Sequence, residues 1–229
     1  MCILCLILLT FSCLGRLCEL VGADIEEVAE GMSYDARIGK RFLNAGIGFG
    51  GSCFPKDTKA LKFLAKQHGY ELKTVEACVD VNTRQKTRLF EKAKERMITF
   101  DGLKVAVLGL TFKAGTDDLR EAPSRDNIKL LLEQGANIVA FDPVGENRAK
   151  MEFPEGKIGR GSITYVTTPN EALNEANMCF IFTEWPEIKE IMPAQYKESM
   201  RIPLVYDGRN LYSIKDMKDA GVEYYSIGR

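Results

Sequence analysis

Histidine and tryptophan are almost missing from this chain of 229 residues, which contains one residue of each kind. The single histidine excludes a histidine-rich metal site, and a Ser-His-Asp triad would have to use His68. An excess of charge is missing too, because 31 Lys and Arg residues balance 32 Asp and Glu residues to a net charge of −1. We therefore expect no general affinity for nucleic acid.

A regular cysteine pattern is also lacking. The seven cysteines are odd in number and irregular in spacing, and they do not form the two C-x-x-C pairs of a structural zinc site. We expect free thiols, no bound metal and a reducing, cytoplasmic location. With 45% hydrophobic and 28% charged residues, the chain has the composition of a globular protein with one large domain or two small ones.

An uncharged apolar run opens the chain over residues 1–14. It lacks the basic segment and the clear cleavage site of a signal peptide, and it is too short for a stable membrane span. We expect a helix that packs in the core, with a targeting segment as the alternative. Residues 1–16 are atypical enough that a damaged or misassigned start is a further interpretation.

Hydrophobic periodicity divides the chain into two parts, with a boundary near residues 99–102. The first part, residues 1–98, reads as helical, with helices predicted at residues 24–30, 57–67 and 76–97. The last of these contains no internal Gly or Pro. One long helix is therefore expected, with an apolar face that includes Val75, Cys78, Val79 and Asn82 and that packs against a partner subunit.

The second part, residues 99–229, alternates short apolar strands with helices. Strands are predicted at residues 104–110, 137–141, 163–166, 178–183, 204–207 and 223–226, with helices at residues 123–134 and 169–175. Such alternation predicts a parallel, doubly wound, Rossmann-like sheet. The predicted fold class is therefore α/β, with a helical segment followed by this sheet.

A glycine-rich stretch at residues 45–57, with the sequence AGIGFGGSCFPKD, is the strongest chemical signal. Its glycines let the backbone turn tightly and approach a ligand, and a helix is expected to begin just after them. Cys53 would then lie at the positive end of that helix, where a thiolate is favoured. Lys56 and Asp57 would share its face, to stabilise an anion and to activate water. The alternative is that Cys53 is a small buried hydrophobic residue.

Cations follow two of the predicted strands. Lys113 and Arg120 lie in the segment at residues 109–124, and Arg209 follows the strand at 204–207. Ligands bind at the carboxyl edge of open α/β sheets, so these cations predict an anionic ligand such as a diphosphate. The alternative is a solvated polar loop. Asp142 also ends a strand and is interpreted as a turn residue.

These motifs resemble the UDP-glucose/GDP-mannose dehydrogenase family, and within it the members that oxidise UDP-glucose. The matching stretches include LCELVGAD, GGSCFPKD, GLTFKAGTDDLREAPS, FTEWPE and YDGRN, in family order from about Leu17 to the end. The resemblance implies a four-electron oxidation of a UDP-sugar to UDP-glucuronate with two NAD⁺, through a thiohemiacetal and a thioester on Cys53. Asp57 would assist hydrolysis, and Lys56 and Arg120 would contact NAD.

The resemblance also implies a UDP-sugar site and a homodimer formed through the helical segment. Arg37 would reach the substrate of the neighbouring subunit. The implied substrate-binding residues within the chain are Phe42, Asn44, Ala45, Gly46, Ile47, Gly48, Phe49, Gly50, Phe112, Lys113 and Arg209.

Two features of the family are not found in the sequence. No GxGxxG motif of an NAD-binding Rossmann domain opens the chain, and the apolar start lacks the Lys and Asn of the family's central helix. We therefore expect a truncated chain that lacks most of its NAD site and is inactive alone. The alternatives are a non-catalytic UDP-sugar-binding or dimerising module, and a fragment of a GDP-mannose-oxidising member.

Overall fold

The computed structural model describes residues 2–229. Its helical part contains α1 (Cys2–Val21), α2 (Ile25–Ser33), α3 (Cys53–Gln67), α4 (Lys73–Lys86) and α5 (Arg88–Arg96). The apolar start forms α1, and the buried Leu9 and Phe11 confirm the predicted core helix from residue 2 onward; Met1 lies outside the described residues. Within the described part of the chain, no helix has both the length and the apolar character that a bilayer crossing requires.

The prediction of one helix over residues 76–97 is wrong. Thr87 interrupts it with φ −96° and ψ 2°, and its hydroxyl lies 3.3 Å from Arg84 O and 3.2 Å from a Glu91 oxygen. A threonine side chain that bonds nearby polar groups competes with the helical hydrogen bonds. On the two sides of this break, α4 contacts α1 and α3, α5 contacts β6, and both helices contact α6.

The expected partner-facing side of this helix is wrong as well. Val75, Cys78 and Asn82 are buried within the chain, where α4 packs against α1. Beyond the break, Leu89, Phe90 and Ala93 of α5 join the core on one face of the sheet. The helical part is therefore fixed on the sheet by packing within one chain.

A seven-stranded sheet forms the second part, in the order β3-β4-β2-β1-β5-β6-β7. The strands are β1 (Lys104–Leu108), β2 (Asn137–Phe141), β3 (Gly156–Ile158), β4 (Gly161–Tyr165), β5 (Met178–Ile181), β6 (Leu204–Asp207) and β7 (Glu223–Tyr225). All neighbours pair in parallel except β3, which is antiparallel to β4. The predicted doubly wound parallel sheet is confirmed, with β3 as an unpredicted edge strand.

Helices cover both faces of the sheet. They are α6 (Pro123–Glu133), α7 (Glu146–Glu152), α8 (Pro169–Leu173), α9 (Pro186–Lys189), α10 (Pro193–Ser199) and α11 (Ile214–Asp219). Alternate residues of β1 enter different clusters: Val105 and Val107 lie in one, and Ala106 and Leu108 in the other. A strand buried on both faces reads as a continuous apolar run, which explains the sequence signal.

Glu19 joins the helical part to the end of the sheet. Its carboxylate lies 2.7 Å from Lys92 Nζ, accepts Arg88 Nη2 at 2.7 Å and accepts the Gly228 N–H at 2.9 Å. One carboxylate of α1 thus contacts α5 and the C-terminal residues. This contact helps to hold α1 against α5 and the C-terminal residues.

Candidate functional site

The glycine loop, residues 44–51, is held by side chains of α4. Asn82 accepts the Phe49 N–H at 2.8 Å and donates its amide to Phe49 O at 3.1 Å, which copies the pairing of a backbone strand. Gln85 donates to Gly46 O at 2.8 Å. On the sheet side, the Ile47 N–H donates to Gly208 O at 3.0 Å. The loop is therefore fixed from both sides.

Glycine is required where this loop meets the segment before α6. A Cβ atom at Gly50 would lie 2.5 Å from Glu121 O and 2.9 Å from Phe112 Cβ. The next residue, Gly51, has φ +79° and donates its N–H to Arg120 O at 2.7 Å. Any side chain at Gly50 would force the two segments apart, so the glycine content reflects close backbone packing as well as space for a ligand.

A cavity of about 500 Å³ lies between the glycine loop and the carboxyl edge of the sheet. Eight predicted substrate-site residues line it: Asn44, Ala45, Gly46, Gly48, Phe49, Gly50, Phe112 and Arg209. Further lining residues, which the sequence did not indicate, are Leu8, Leu9 and Ser12 of α1, and Phe54, Glu184, Lys189 and Leu211. Its volume and its position at a sheet edge suit a nucleotide-sized ligand.

Arg209 enters the cavity in a fixed orientation. Its Nε donates to Phe182 O at 2.8 Å and its Nη2 donates to Phe112 O at 2.7 Å. Glu184 adds an ion pair, with Oε2 3.2 Å from Nε. The acceptors lie after β5 and β1, so the guanidinium spans the sheet edge and is only partly exposed. A cation held in this way can bind an anion with little loss of side-chain entropy.

Asp142 was interpreted as a turn residue, but it organises the same edge. It is buried, and its Oδ2 accepts the Leu110 N–H at 2.7 Å and Trp185 Nε1–H at 3.0 Å. Its Oδ1 accepts the Gly145 N–H at 2.6 Å. The carboxylate therefore fixes the loop that follows β1, which carries Phe112 into the cavity.

Cys53 is the first residue of α3 and its side chain is exposed. Ser52 makes no side-chain cap at this helix, and its Oγ lies 4.0 Å from Cys53 Sγ. Asp57, half-buried, follows one helical turn later, and Lys56 is exposed. Cys53 does not line the cavity, but its neighbour Phe54 does. The sulfur is therefore not sealed in the core, and lies one residue from the cavity wall.

Several predicted site residues lie outside the cavity. Lys113 is exposed, with Nζ 5.4 Å from the centre of the Phe112 ring. Arg37 is 89% exposed, pairs with Asp35 and does not line the cavity. Phe42 is 41% exposed. The buried side chain of Ile47 belongs to the core, and Ile47 does not line the cavity.

Arg120 lies beside the glycine loop. Its backbone O accepts the Gly51 N–H, while its side chain points to Asp118, with Nη2 to Oδ2 at 2.7 Å. Hydrogen bonding to Asp118 raises the pKa of Arg120, and hydrogen bonding to Arg120 lowers the pKa of Asp118. The pair stays ionised over the physiological range, so Arg120 presents a fixed charge near the start of α3.

Glu121 connects three segments and was not predicted. Its carboxylate lies 2.8 Å from Lys59 Nζ of α3 and 2.7 Å from Lys86 Nζ of α4. Hydrogen bonds from Lys59 and then Lys86 lower the pKa of Glu121 to about 2. Its backbone has φ +55°, a left-handed conformation that a non-glycine residue adopts infrequently. Glu121 therefore ties the segment before α6 to the helices that carry Cys53 and Asn82.

The supports of the site carried little sequence signal. Asn82 and Gln85 were placed on a helix and Glu121 in a polar loop, but their contacts are made 33, 39 and 62 residues away in the chain. Asn82 is a polar residue on an otherwise apolar helix face, and this contrast was the one available sign that its side chain has a structural role. In the described part of the chain, no group of three or more His, Cys, Asp or Glu side chains is arranged to hold a metal ion.

Comparison with known proteins identifies the family of this chain. Residues 7–84 match the central domain of the UDP-glucose/GDP-mannose dehydrogenase family, and residues 106–214 match its UDP-binding domain. The UDP-glucose 6-dehydrogenase TuaD of Bacillus subtilis is 42% identical over 217 residues, which are 94% of this chain and 46% of that protein. The UDP-glucose 6-dehydrogenase of Pseudomonas aeruginosa is 42% identical over 217 residues, 94% of this chain and 48% of that protein.

The fold is likewise similar to a solved structure. A UDP-glucose dehydrogenase from Pyrobaculum islandicum superposes with a TM-score of 0.84 at 32% identity, over 98% of this chain and 48% of that one. The chain spans about half the length of the relatives that it matches. Two domain matches that together take in most of the sequence show that this chain belongs to the UDP-glucose/GDP-mannose dehydrogenase family.

Proposed function

We propose that this chain is the UDP-sugar-binding and thiol-bearing part of an enzyme that oxidises UDP-glucose to UDP-glucuronate with NAD⁺. One observation carries the proposal: the cavity of about 500 Å³ brings a fixed Arg209 and the glycine loop together, one residue from the thiol at the start of α3. The similarity to UDP-glucose 6-dehydrogenases supports the choice of substrate.

The cavity offers a diphosphate the partners that it needs. Arg209 uses Nε and Nη2 within the chain, so Nη1 is left for a phosphate oxygen. Backbone N–H groups of the glycine loop can approach closely because no side chains intervene. Phe112 and Leu211 add apolar wall, which suits the nucleoside. This set recognises a nucleoside diphosphate sugar by charge and shape together.

Cys53 supplies the covalent chemistry in this proposal. Its sulfur adds to the C6 aldehyde carbon of the sugar and forms a thiohemiacetal, which the second oxidation converts to a thioester. Asp57, one helical turn away on the same face, positions and deprotonates the water that cleaves the thioester. The products of that step are the C6 carboxylate and the free Cys53 thiol. A reducing cytoplasm would keep this thiol available.

The cations beside Cys53 fit a cofactor that carries a pyrophosphate. Lys56 is exposed, and Arg120 is 65% exposed and held by Asp118 through one edge of its guanidinium. We infer that these two residues contact the bound NAD⁺. When bound, NAD⁺ accepts the two electrons and the hydrogen that leave C6 in each oxidation. The chain itself would contribute the fixed positive charge and the neighbouring thiol.

Binding and chemistry can be tested separately. We expect UDP-glucose to bind the purified chain in calorimetry, and Arg209→Ala to weaken binding at least tenfold, whereas Lys215→Ala on α11 leaves it unchanged. Tighter binding of GDP-mannose than of UDP-glucose would contradict the proposed substrate. We also expect the chain alone to form no NADH from UDP-glucose and NAD⁺. Release of NADH would overturn the expectation that the chain is inactive alone.

The thiol chemistry needs its own probe. UDP-glucose oxidised at C6 to the aldehyde is expected to protect Cys53 from iodoacetamide far better than UDP-glucose does, because only the aldehyde can form a bond to sulfur. The exposed Cys13 serves as the internal control, followed by mass spectrometry of the peptides. Equal protection by both nucleotides would favour a binding module without turnover.

The homodimer is also a proposal. Leu17, Leu20 and Val21 at the end of α1 are 54%, 73% and 68% exposed, and Tyr34 after α2 is 79% exposed. An apolar surface of this kind on a helical segment suits contact with another subunit. Sedimentation equilibrium of the chain and of Leu20→Glu tests it: we expect a dimer for the first and a monomer for the second.

A further inference from the structure

The sequence contains three Asp-x-Arg tripeptides, and they hold Arg37, Arg120 and Arg209. In all three, the backbone N–H of the arginine donates to Oδ1 of the aspartate two residues before it, at 2.9, 2.9 and 2.7 Å. The same short turn therefore fixes the backbone of each arginine. Of the three arginines that share this geometry, Arg209 lines the cavity and Arg120 lies beside the glycine loop, whereas Arg37 lies outside the cavity.

The side chains follow the same rule. The guanidinium groups of Arg37 and Arg120 donate Nε and Nη2 to the aspartate of their own turn. Arg209 donates the same two atoms to backbone carbonyls, because Asp207 is buried and accepts Tyr224 OH instead. None of these hydrogen bonds, in the described part of the chain, uses Nη1. Each arginine is thus held by one edge and leaves the other for a ligand.

Arg120 is the member of this set that lies beside the thiol. Its backbone O accepts the N–H of Gly51, two residues before Cys53. Hydrogen bonding and charge at Asp118 raise the pKa of Arg120, and a negative charge on Cys53 contributes in the same direction. Asp118 itself is only 13% exposed, whereas Arg120 is 65% exposed. A mostly covered carboxylate therefore holds a mostly exposed guanidinium.

We propose that Asp118 is a positioning residue, which holds Arg120 by its Nε and Nη2 edge so that the Nη1 edge can bind an anionic group beside Cys53. This inference rests on the proposed function, in which an anion occupies that place. A competing interpretation is that Asp118 only neutralises Arg120. The two interpretations predict opposite signs when the charge of Asp118 is removed, so one substitution separates them.

The probe is the alkylation of Cys53 by iodoacetate and by iodoacetamide, measured as a ratio of rates by peptide mass spectrometry. The thiolate attacks the CH2 carbon of both reagents and displaces iodide, so the ratio cancels the ionisation of the thiol and reports how strongly the surroundings of the cysteine attract an anion. One unit charge several ångströms away in a water-like medium changes such a ratio by about threefold. Asp118→Asn releases the Arg120 guanidinium but also removes one negative charge, which offsets part of the effect, so the ratio is expected to fall by less than this factor.

A rise in the ratio for Asp118→Asn would support neutralisation and overturn the proposal. An unchanged ratio would overturn the proposal as well. Arg120→Lys keeps the charge but cannot form the two-point contact, and it too is expected to lower the ratio. An unaltered ratio in Arg120→Lys would count against positioning even if Asp118→Asn proved unstable.

Asp117→Asn is the matched control. It removes the same charge one residue away, but Asp117 pairs with Arg148, at 2.7 Å from Nε to Oδ2. Its ratio is expected to stay level or rise. A fall in both aspartate variants would point to a disordered loop and overturn the proposal. None of these alkylation assays needs turnover or UDP-glucose. A failure of the proposed function would therefore be seen as a loss of UDP-glucose binding in calorimetry, and the alkylation ratios would be interpreted separately.

Discussion

Replacing Glu121 by glutamine tests the ion pairs that connect the segment beside the glycine loop to α3 and α4. The carboxylate of Glu121 contacts Lys59 of α3 and Lys86 of α4, and its backbone lies against Gly50. Lys86 is 8% exposed and Lys59 is 63% exposed. Glutamine keeps the size of the side chain and loses the charge, so the substitution leaves the nearly buried Lys86 ammonium without its carboxylate.

The size of the effect follows from the lowered pKa of Glu121, about 2 in place of 4.5. Without screening, this difference corresponds to roughly 3 kcal/mol of stability at neutral pH. The side chain is 39% exposed, however, and water screens the interaction. We therefore expect Glu121→Gln to lower the free energy of unfolding by about 1.5 to 2 kcal/mol at pH 7.

The pH dependence has a definite sign. Because the folded pKa of Glu121 lies below its unfolded value, the stabilisation is complete above about pH 4.5 and is lost as pH falls toward 2. Urea unfolding of the original chain and of Glu121→Gln, at several values between pH 7 and pH 2.5, measures the difference directly. The difference in the free energy of unfolding between the original chain and Glu121→Gln is expected to decrease steadily below pH 4.5.

Two controls accompany this experiment. Glu198→Gln changes an exposed glutamate of α10 and is expected to have an effect below about 0.5 kcal/mol. Lys59→Gln removes the exposed partner and is expected to cost about 0.5 kcal/mol, since Lys86 remains. A Glu121→Gln difference below 0.5 kcal/mol at pH 7, or one that is the same at pH 7 and pH 3, would refute the reasoning.

Two further substitutions address the glycine loop. Gly50→Ala places a Cβ 2.5 Å from Glu121 O, so we expect it to displace the loop. UDP-glucose binding, measured by calorimetry, is then expected to weaken at least tenfold. Gly31→Ala is the control, because a Cβ there has nothing within 4 Å, and it is expected to leave binding intact. Asn82→Ala removes both hydrogen bonds to Phe49, and we expect thermal or urea unfolding to show a loss of about 1 to 3 kcal/mol together with weaker binding. Intact binding in either variant would show that the loop needs no such support.

The sequence predicted the centre of the sheet well because β1 and β5 are buried along almost their whole length. Each of these two strands reads as an apolar run, so its pattern can be recognised without knowing its neighbours. The edge strand β3 (Gly156–Ile158) was missed, since three residues with half-exposed positions carry no such pattern. The break at Thr87 was missed for a related reason. Helical periodicity continues through Thr87, so the sequence pattern gives no sign of the break there.

The residues of the site show the same difference between local sequence signals and long-range contacts. Cys53 was placed correctly at the start of a helix because the glycines and Pro55 before and after it are local signals. Asn82, Glu121 and Asp142 were missed as supports, because their functions depend on backbone or charged groups more than 30 residues away. A sequence shows the chemical capacity of such residues, but only the fold brings their partners within hydrogen-bonding distance.

The proposed binding of the nucleotide sugar and the proposed chemistry of the thiol have different structural bases. The cavity is built from groups that are fixed by several long-range contacts, such as Arg209 across two strand ends and the glycine loop against α4. Cys53 is exposed, is the first residue of α3 and is not among the residues that line the cavity. Because no hydrogen bond found among the described residues joins its side chain to the cavity lining, Cys53→Ser should leave UDP-glucose affinity within twofold while it removes the covalent step. A large loss of affinity in Cys53→Ser would mean that the thiol is part of the binding surface, and the separation argued here would fail.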